Sequence, residues 1–191
     1  MAKLNSGIGI VGIVVVAFAN VATTWAQSAE SPHRLQETIS RTLVDDGSPS
    51  AAASYTEAKL TASDPAAGVY FAFSVGISGD TAIVGAPSGA SAYVYRRDEG
   101  GINNWGEVTK ITPSDGVGGR FGFRVAISGD TAIVTAWLDG PGSAYVYQRN
   151  EGGVDNWGEV TKITPSDGAP DDWFGVGVAL SDDTAIVGSL R

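Results

Sequence analysis

The chain has no cysteine, and only one of its 191 residues is a histidine. Without cysteine it can form no disulfide, no thiolate metal site and no thiol nucleophile. The histidine, His33, lies outside the repeats described below, so a Ser-His-Asp arrangement cannot be built there. We interpret His33 as a solvated surface residue. We therefore predict no catalytic residue, no metal site, no cofactor and no enzymatic activity.

Basic residues are also scarce. Twelve lysines and arginines stand against 21 aspartates and glutamates, for a formal net charge of −9. Nucleic-acid binding depends on clustered lysine and arginine that neutralise phosphates. The charge balance therefore argues against a nucleic-acid partner.

The N-terminus has the order of features that is typical of a secretory signal. Lys3 precedes a mostly apolar run at residues 7–25, and small residues follow, with Ala26 at a plausible cleavage point. We predict a helical signal peptide at residues 1–26 and a polar lead-in at 27–58. The protein would then be secreted, extracellular or periplasmic, or membrane-anchored if the signal is retained.

Residues 59–191 are repetitive, with a period near fifty. Segments 98–116 and 150–168 agree at 16 of 19 positions. "KLTASD" and its two "KITPSD" copies are spaced by 51 and 52 residues, and "SAYVY" occurs twice. A period of this length is typical of β-propeller blades.

Each repeat divides into four short strands, of which the second-repeat example is Phe123–Ser128, Thr131–Ala136, Ser143–Arg149 and 157–164. Gly129-Asp130 makes a two-residue turn whose glycine supplies a positive φ. "TAIVGA" is almost continuously apolar, which predicts burial on both faces of the sheet. The sequence thus predicts an all-β fold, a partial β-propeller of four-stranded antiparallel blades.

These repeats resemble the FG-GAP repeat family, whose best-known members form the β-propeller of integrin α subunits. "FG" stands at residues 121–122 and 174–175, and "GAP" at 85–87. The resemblance implies a propeller that binds other molecules. The chain departs from the pattern at Thr135-Ala136-Trp137 and at Gly188-Ser189-Leu190, where "GAP" is expected.

Calcium-binding members of the family carry an Asp-rich loop in the first hairpin of a blade. Here the corresponding turns are only Gly79-Asp80, Gly129-Asp130 and Asp182-Asp183. Calcium takes six to eight oxygen ligands, which a two-residue turn cannot supply. The resemblance therefore does not carry a calcium site to these positions.

The strands number about eleven, which makes two full blades with flanking strands, the last two of which are Phe174–Ser181 and Thr184–Leu190. Closed propellers contain four to eight blades. We therefore expect the chain to be a fragment or to assemble from several copies. The segment 184–190 would lie at an exposed sheet edge, which predicts self-association there.

Several repeated polar and aromatic residues have structural interpretations. Asp80 and Asp130 belong to the hairpin turns. The tryptophans of the two "NWGEV" segments are expected to pack between blades. Their glutamates, Glu107 and Glu159, are interpreted as repeated structural positions, with paired acids as the alternative.

The repeats differ most in the loops that strand parity places at one end of the fold, and variable loops on a rigid scaffold are typical of recognition. Aromatic and acidic residues in these loops predict a surface for an extracellular protein or glycan: Tyr70, Trp137, Asp139, Asp171, Asp172 and Trp173. Neutral drift after duplication is the alternative, with Trp137 and Trp173 filling gaps beside the sheet.

The predicted function is a secreted or cell-surface binding and adhesion scaffold. One alternative is an accessory propeller of a larger extracellular enzyme whose catalytic part lies elsewhere. Another is a structural fragment without an activity of its own.

Overall fold

The computed structural model describes residues 13–17, 56–102 and 104–191. Within them the chain forms β-strands and one short 3-10 helix at Pro87–Gly89, with no α-helix. The strands are β1 (Ile13–Ala17), β2 (Thr56–Leu60), β3 (Ser74–Ser78), β4 (Thr81–Ala86), β5 (Ser91–Arg97), β6 (Trp105–Ile111), β7 (Val125–Ser128), β8 (Thr131–Ala136), β9 (Ser143–Arg149), β10 (Trp157–Ile163), β11 (Gly177–Ser181) and β12 (Thr184–Gly188).

Three antiparallel sheets follow one another along the chain. The first sheet is β3-β4-β5-β6, the second is β7-β8-β9-β10, and the third is the hairpin β11-β12. Each first hairpin closes through a two-residue turn, and Gly79 and Gly129 begin those turns with φ of +56° and +55°. The predicted all-β class, the four-stranded sheets and the turn glycines are confirmed.

The two middle strands of the first sheet, β4 and β5, are largely buried on both faces. One face packs on the second sheet, where Ile83 and Val94 share a core with Phe121 and Tyr145. The other face packs around Leu60 of β2. All six residues of β4 are buried, and so are five of the six in β8. Contact on two sides therefore explains the apolar "TAIV" runs of β4 and β8.

The first strands of the second and third sheets begin later than the sequence predicts. β7 starts at Val125 instead of Phe123, and β11 at Gly177 instead of Phe174. The glycine of each Phe-Gly pair has a φ above +90°, at +92° for Gly122 and +96° for Gly175. A positive φ is incompatible with extended backbone, so the ladder starts only after it.

The two glycines of the Phe-Gly and Gly-Ala-Pro motifs meet where the first and second sheets touch. A Cβ on Gly85 would overlap the carbonyl oxygen of Gly122, and a Cβ on Gly122 would overlap that of Ser91. Neither position has room for a side chain. This close approach of two backbones explains why the two motifs occur together.

Between the second and third sheets, Thr135 stands where the first sheet has Gly85. Its side chain is fully buried. The hydroxyl Oγ1 donates to the carbonyl of Gly175 at 2.7 Å and accepts from the backbone N–H of Arg124 at 3.1 Å. At this junction the two hydrogen bonds of the threonine side chain thus take the place of the backbone contact seen between Gly85 and Gly122.

The third sheet is largely open to solvent on its outer side. Ile186 in β12 is 70% exposed, and the first three residues of that strand are all exposed. Within the described residues, β12 pairs only with β11. The exposed edge predicted for residues 184–190 is present.

Most of the predicted signal helix and polar lead-in lies outside the described residues. Of the predicted signal segment, the five described residues, Ile13–Ala17, form a strand that pairs in parallel with β2, so the helix prediction is wrong for them. Their run of isoleucine and valine favours extended structure, because β-branched side chains restrict χ1 in a helix. In the described part of the chain, no helix has the length and apolar character needed to cross a membrane.

Candidate functional site

The variable loops of the three sheets meet at one end of the fold. Leu138 N–H donates to the carbonyl of Gly119 at 2.9 Å, which joins the β8–β9 loop to the β6–β7 loop. Phe174 N–H donates to the carbonyl of Pro141 at 2.9 Å, which joins the β10–β11 loop to the same β8–β9 loop. Backbone hydrogen bonds therefore hold these loops against each other.

A row of four aromatic rings runs along this end. Phe73 and Phe123 have ring centroids 5.1 Å apart, Phe123 and Trp137 5.6 Å, and Trp137 and Trp173 5.4 Å. The two indoles meet edge to face, at an interplanar angle of 83°. Such contacts stabilise beyond simple burial, so the row forms a connected wall.

A cavity of about 300 Å³ opens beside this row. It lies where the second and third sheets adjoin. Apart from the guanidinium group of Arg124, its lining side chains are aromatic or aliphatic. The lining residues are Phe123, Arg124, Trp137, Trp173, Val176 and Leu190.

Arg124 is the only charged residue among those that line the cavity. Its guanidinium lies 4.5 Å from the ring centroid of Phe123 and 5.6 Å from that of Phe73. Its Nε donates to the carbonyl of Val176 at 3.1 Å and its Nη1 to that of Phe123 at 3.4 Å. These contacts fix the cation at the cavity.

The ion pairs set Arg124 apart from most arginines of the repeats. Arg97 pairs with Asp80 at 3.2 Å, and Arg149 with Asp130 at 3.3 Å. Arg96 pairs with both Glu99 and Asp155. Across residues 56–102 and 104–191, no carboxylate lies within ion-pair distance of Arg124.

The indole N–H of Trp137 is buried without a hydrogen-bond partner in the described structure. A buried donor without an acceptor costs about 1–3 kcal/mol. The ring contacts of Trp137 with Phe123 and Trp173 therefore offset the cost of the unpaired N–H.

Of the residues predicted for this surface, Trp137 and Trp173 are brought together. Tyr70 is 61% exposed, and its backbone carbonyl accepts from Phe73 N–H. Asp171 is exposed. Asp172 is committed to its own turn, where its carboxylate accepts from Ala169 N–H at 2.7 Å.

Asp139 belongs to an internal network instead of the predicted recognition surface. Its side chain is only 12% exposed, and it accepts from Lys162 at 2.7 Å and from Tyr145 at 2.8 Å. Burial disfavours its charge, yet these hydrogen bonds outweigh burial and hold its pKa below the usual range. Lys162 also pairs with Asp115 at 2.6 Å, so Asp139 and Asp115 share this cation inside the fold.

Sequence reasoning missed Phe73, Phe123, Arg124, Val176 and Leu190. A positional signal was present, because Phe73, Phe123 and Val176 each lie two residues after the phenylalanine of the Phe-Gly position. Leu190 and Trp137 both replace the proline of Gly-Ala-Pro. The departures from the repeat pattern therefore supply two walls of the cavity.

The repeated acids connect neighbouring segments. Glu107 accepts from the N–H and hydroxyl of Ser63, both at 2.8 Å. Glu159 accepts in the same way from Ser114, at 3.1 and 2.9 Å. Lys110 pairs with Asp64 at 2.6 Å, and this hydrogen bond lowers the pKa of Asp64. The glutamates therefore hold each sheet to the segment before it.

No group of three or more acidic or histidine side chains within the described residues is arranged to hold a metal ion.

The FG-GAP repeat family model matches residues 55–99, 105–147 and 157–191. The chain belongs to the FG-GAP repeat family. No curated protein matches it. The second match begins with β6, the last strand of the first sheet, and the third match begins with β10, the last strand of the second sheet. Together the second and third matches contain every residue that lines the cavity.

Proposed function

We propose that the FG-GAP repeats of this chain form part of a β-propeller. The first strands of the sheets run side by side, with β3 next to β7 and β7 next to β11. The same link recurs at both junctions. Ser78 Oγ accepts from Gly129 N–H, and Ser128 Oγ accepts from Asp182 N–H, each at 2.9 Å. Repetition of one junction supports blades arranged around a common axis.

Within this proposal the protein is a secreted or cell-surface binding scaffold without catalytic activity. The observation that carries the function is the aromatic cavity at the end where the variable loops meet. Hydrogen bonds between the loops hold the walls of this cavity together, and largely preformed apolar cavities are typical of binding. The repeated glutamates already hold serines, which argues against their use as paired catalytic acids.

Two measurements test the proposal. Mass spectrometry of the exported protein would identify the mature N-terminus, and retention in the cytoplasm would contradict secretion. The full chain would also be applied to arrays of extracellular proteins and glycans. We expect specific partners whose binding falls at least tenfold in Trp173→Ala, because this substitution removes one cavity wall.

The matched control is Val154→Ala, at a side chain 91% exposed in the β9–β10 turn at the opposite end of the second sheet. Its binding should equal that of the parent protein. If a correctly folded chain binds nothing on either array, the binding scaffold is the wrong function.

We also propose self-association through the third sheet. The second strands β4 and β8 both pair on two sides, whereas β12 pairs on one side within the described residues. A second copy of the chain is the occupant that we propose for this edge, since sheet edges pair readily with other strands. Light scattering at micromolar concentration should show a dimer or larger species that Ile186→Lys reduces. A monomer in the parent protein would contradict this proposal.

A further inference from the structure

The cavity beside the aromatic row has an unbalanced set of polar groups. Its charged group is the guanidinium of Arg124, and its remaining lining residues are Phe123, Trp137, Trp173, Val176 and Leu190. These side chains offer hydrogen-bond donors and apolar surface, but none of them carries an acceptor oxygen. A molecule that complements the cavity therefore brings an acceptor and an apolar body.

The position of Arg124 strengthens this requirement. It is half-buried over two phenylalanine rings, and two of its N–H groups are already bound to backbone carbonyls. Neither of these neutral carbonyls cancels its charge, and no described carboxylate pairs with it. A cation fixed in place and lacking a counter-ion is a ready partner for a carboxylate.

We propose that the cavity binds an acidic, apolar peptide segment, with a carboxylate on Arg124 and an adjoining apolar side chain against the two indoles. This inference rests on the proposed binding function and names its ligand class. The volume of about 300 Å³ accommodates one large side chain together with its carboxylate. The carboxylate belongs to an acidic residue or to a chain end beside the apolar side chain.

The wall geometry favours a peptide over a sugar. Sugar hydroxyl groups need several acceptors as well as donors, and the lining side chains supply no acceptor oxygen. The indoles of Trp137 and Trp173 meet at 83°, so they form a corner instead of a flat platform for a sugar ring. A corner of two indoles fits an aromatic or branched apolar side chain.

The test uses three small probes on the full chain. N-acetylphenylalanine carries the carboxylate and an apolar ring, N-acetylphenylalaninamide has the same ring without the charge, and glucuronic acid carries a carboxylate on a sugar. Binding is followed by NMR through the indole N–H resonances of Trp137 and Trp173. We expect the first probe to bind about tenfold more tightly than each of the other two, because a hydrogen bond to a charged group is stronger than a neutral one.

Arg124→Gln should abolish the preference for the carboxylate probe over the amide. Arg120→Gln is the matched control. Arg120 lies in the β6–β7 loop, donates a hydrogen bond to Ser88 Oγ at 2.6 Å and does not line the cavity. That control should keep the full preference. If Arg124→Gln does not fold, Arg124→Lys retains the charge and should keep at least part of the preference.

Equal affinity for the carboxylate and the amide would overturn the proposal, and so would an unchanged preference in a folded Arg124→Gln. Glucuronic acid binding as tightly as the phenylalanine probe would overturn the peptide assignment. Absence of binding by all three probes would also overturn it. These failures differ from failure of the binding scaffold, because array partners would still bind and would not be displaced by N-acetylphenylalanine.

Discussion

Gly85 and Gly122 face each other so closely that a Cβ on Gly85 would overlap the carbonyl oxygen of Gly122. The two glycines come from the Gly-Ala-Pro of one repeat and the Phe-Gly of the next. Each position must be glycine because the backbone of the neighbouring repeat fills the space of a Cβ. The pair therefore sets the distance between the first and second sheets. The Gly-Ala-Pro and Phe-Gly motifs thus form the two sides of one interface between neighbouring sheets.

Substitution of Gly122 by alanine should destabilise the protein by about 3 kcal/mol or more. The new Cβ would meet the carbonyl of Ser91, and the backbone φ of +92° is unfavourable for any side chain. Gly129→Ala is the control, because Gly129 also has a positive φ of +55° but has open space around its Cβ position. It should cost only about 1 kcal/mol. Equal costs in urea unfolding would show that contact between the sheets is not the cause.

Thr135→Val should destabilise the protein by about 2 kcal/mol, although valine has nearly the same shape. The substitution leaves the carbonyl of Gly175 and the N–H of Arg124 without their partner in a fully buried position. Thr161→Val, at an exposed position of β10, should change stability by less than about 0.5 kcal/mol. Thermal unfolding of the two variants measures the difference, and a neutral Thr135→Val would contradict the role given to the hydroxyl.

Asp139→Asn should make the protein less sensitive to acid. The folded state lowers the pKa of Asp139, so its contribution is present above the unfolded pKa, about 3.9, and is lost as the pH falls through the lower folded value. The variant should be about 1 kcal/mol less stable than the parent at pH 7. That gap should shrink below pH 4. A gap that is constant from pH 7 to pH 2 would exclude the proposed linkage.

Tyr95→Phe should cost about 1–2 kcal/mol. The buried Tyr95 hydroxyl donates to the carbonyl of Thr61 at 2.9 Å, and its loss leaves that carbonyl without this donor. Tyr70→Phe changes the same group on a side chain that is 61% exposed, so its stability should match that of the parent. Equal melting temperatures for the two variants would indicate that the hydroxyl of Tyr95 does not contribute.

Much of the fold could be predicted because it depends on local pattern. "TAIVGA" and "TAIVTA" became β4 and β8 with the predicted bounds, and "SAYVYQR" became β9. The predicted starts of β7 and β11 were too early. The positive φ of Gly122 and Gly175 interrupts the extended backbone there, although the residue pattern around them still favours a strand. The strand at Ile13–Ala17 was missed because the apolar run at residues 7–25 was interpreted as a helical signal peptide, whereas its isoleucine and valine residues favour extended structure.

The candidate site was predicted only in part. Trp137 and Trp173 were found because they stand out among variable loop residues. Arg124 was not, because its importance depends on the two phenylalanine rings beneath it and on the lack of an acidic neighbour. Asp139 was placed on the surface because the sequence does not show that Lys162 and Tyr145 reach it from β10 and β9.

The sequence by itself determined the repeated sheets, their two-residue turns and the family, since these follow from alternation, glycine positions and a period near fifty residues. Only the tertiary structure decided which departures from the repeat matter. Trp137 and Arg124 of the second repeat and Leu190 of the third line one cavity because hydrogen bonds from Thr135 to Gly175 and from Asp182 to Ser128 hold the second and third sheets side by side. Side-chain neighbours of that kind are set by packing between sheets, which no local pattern records.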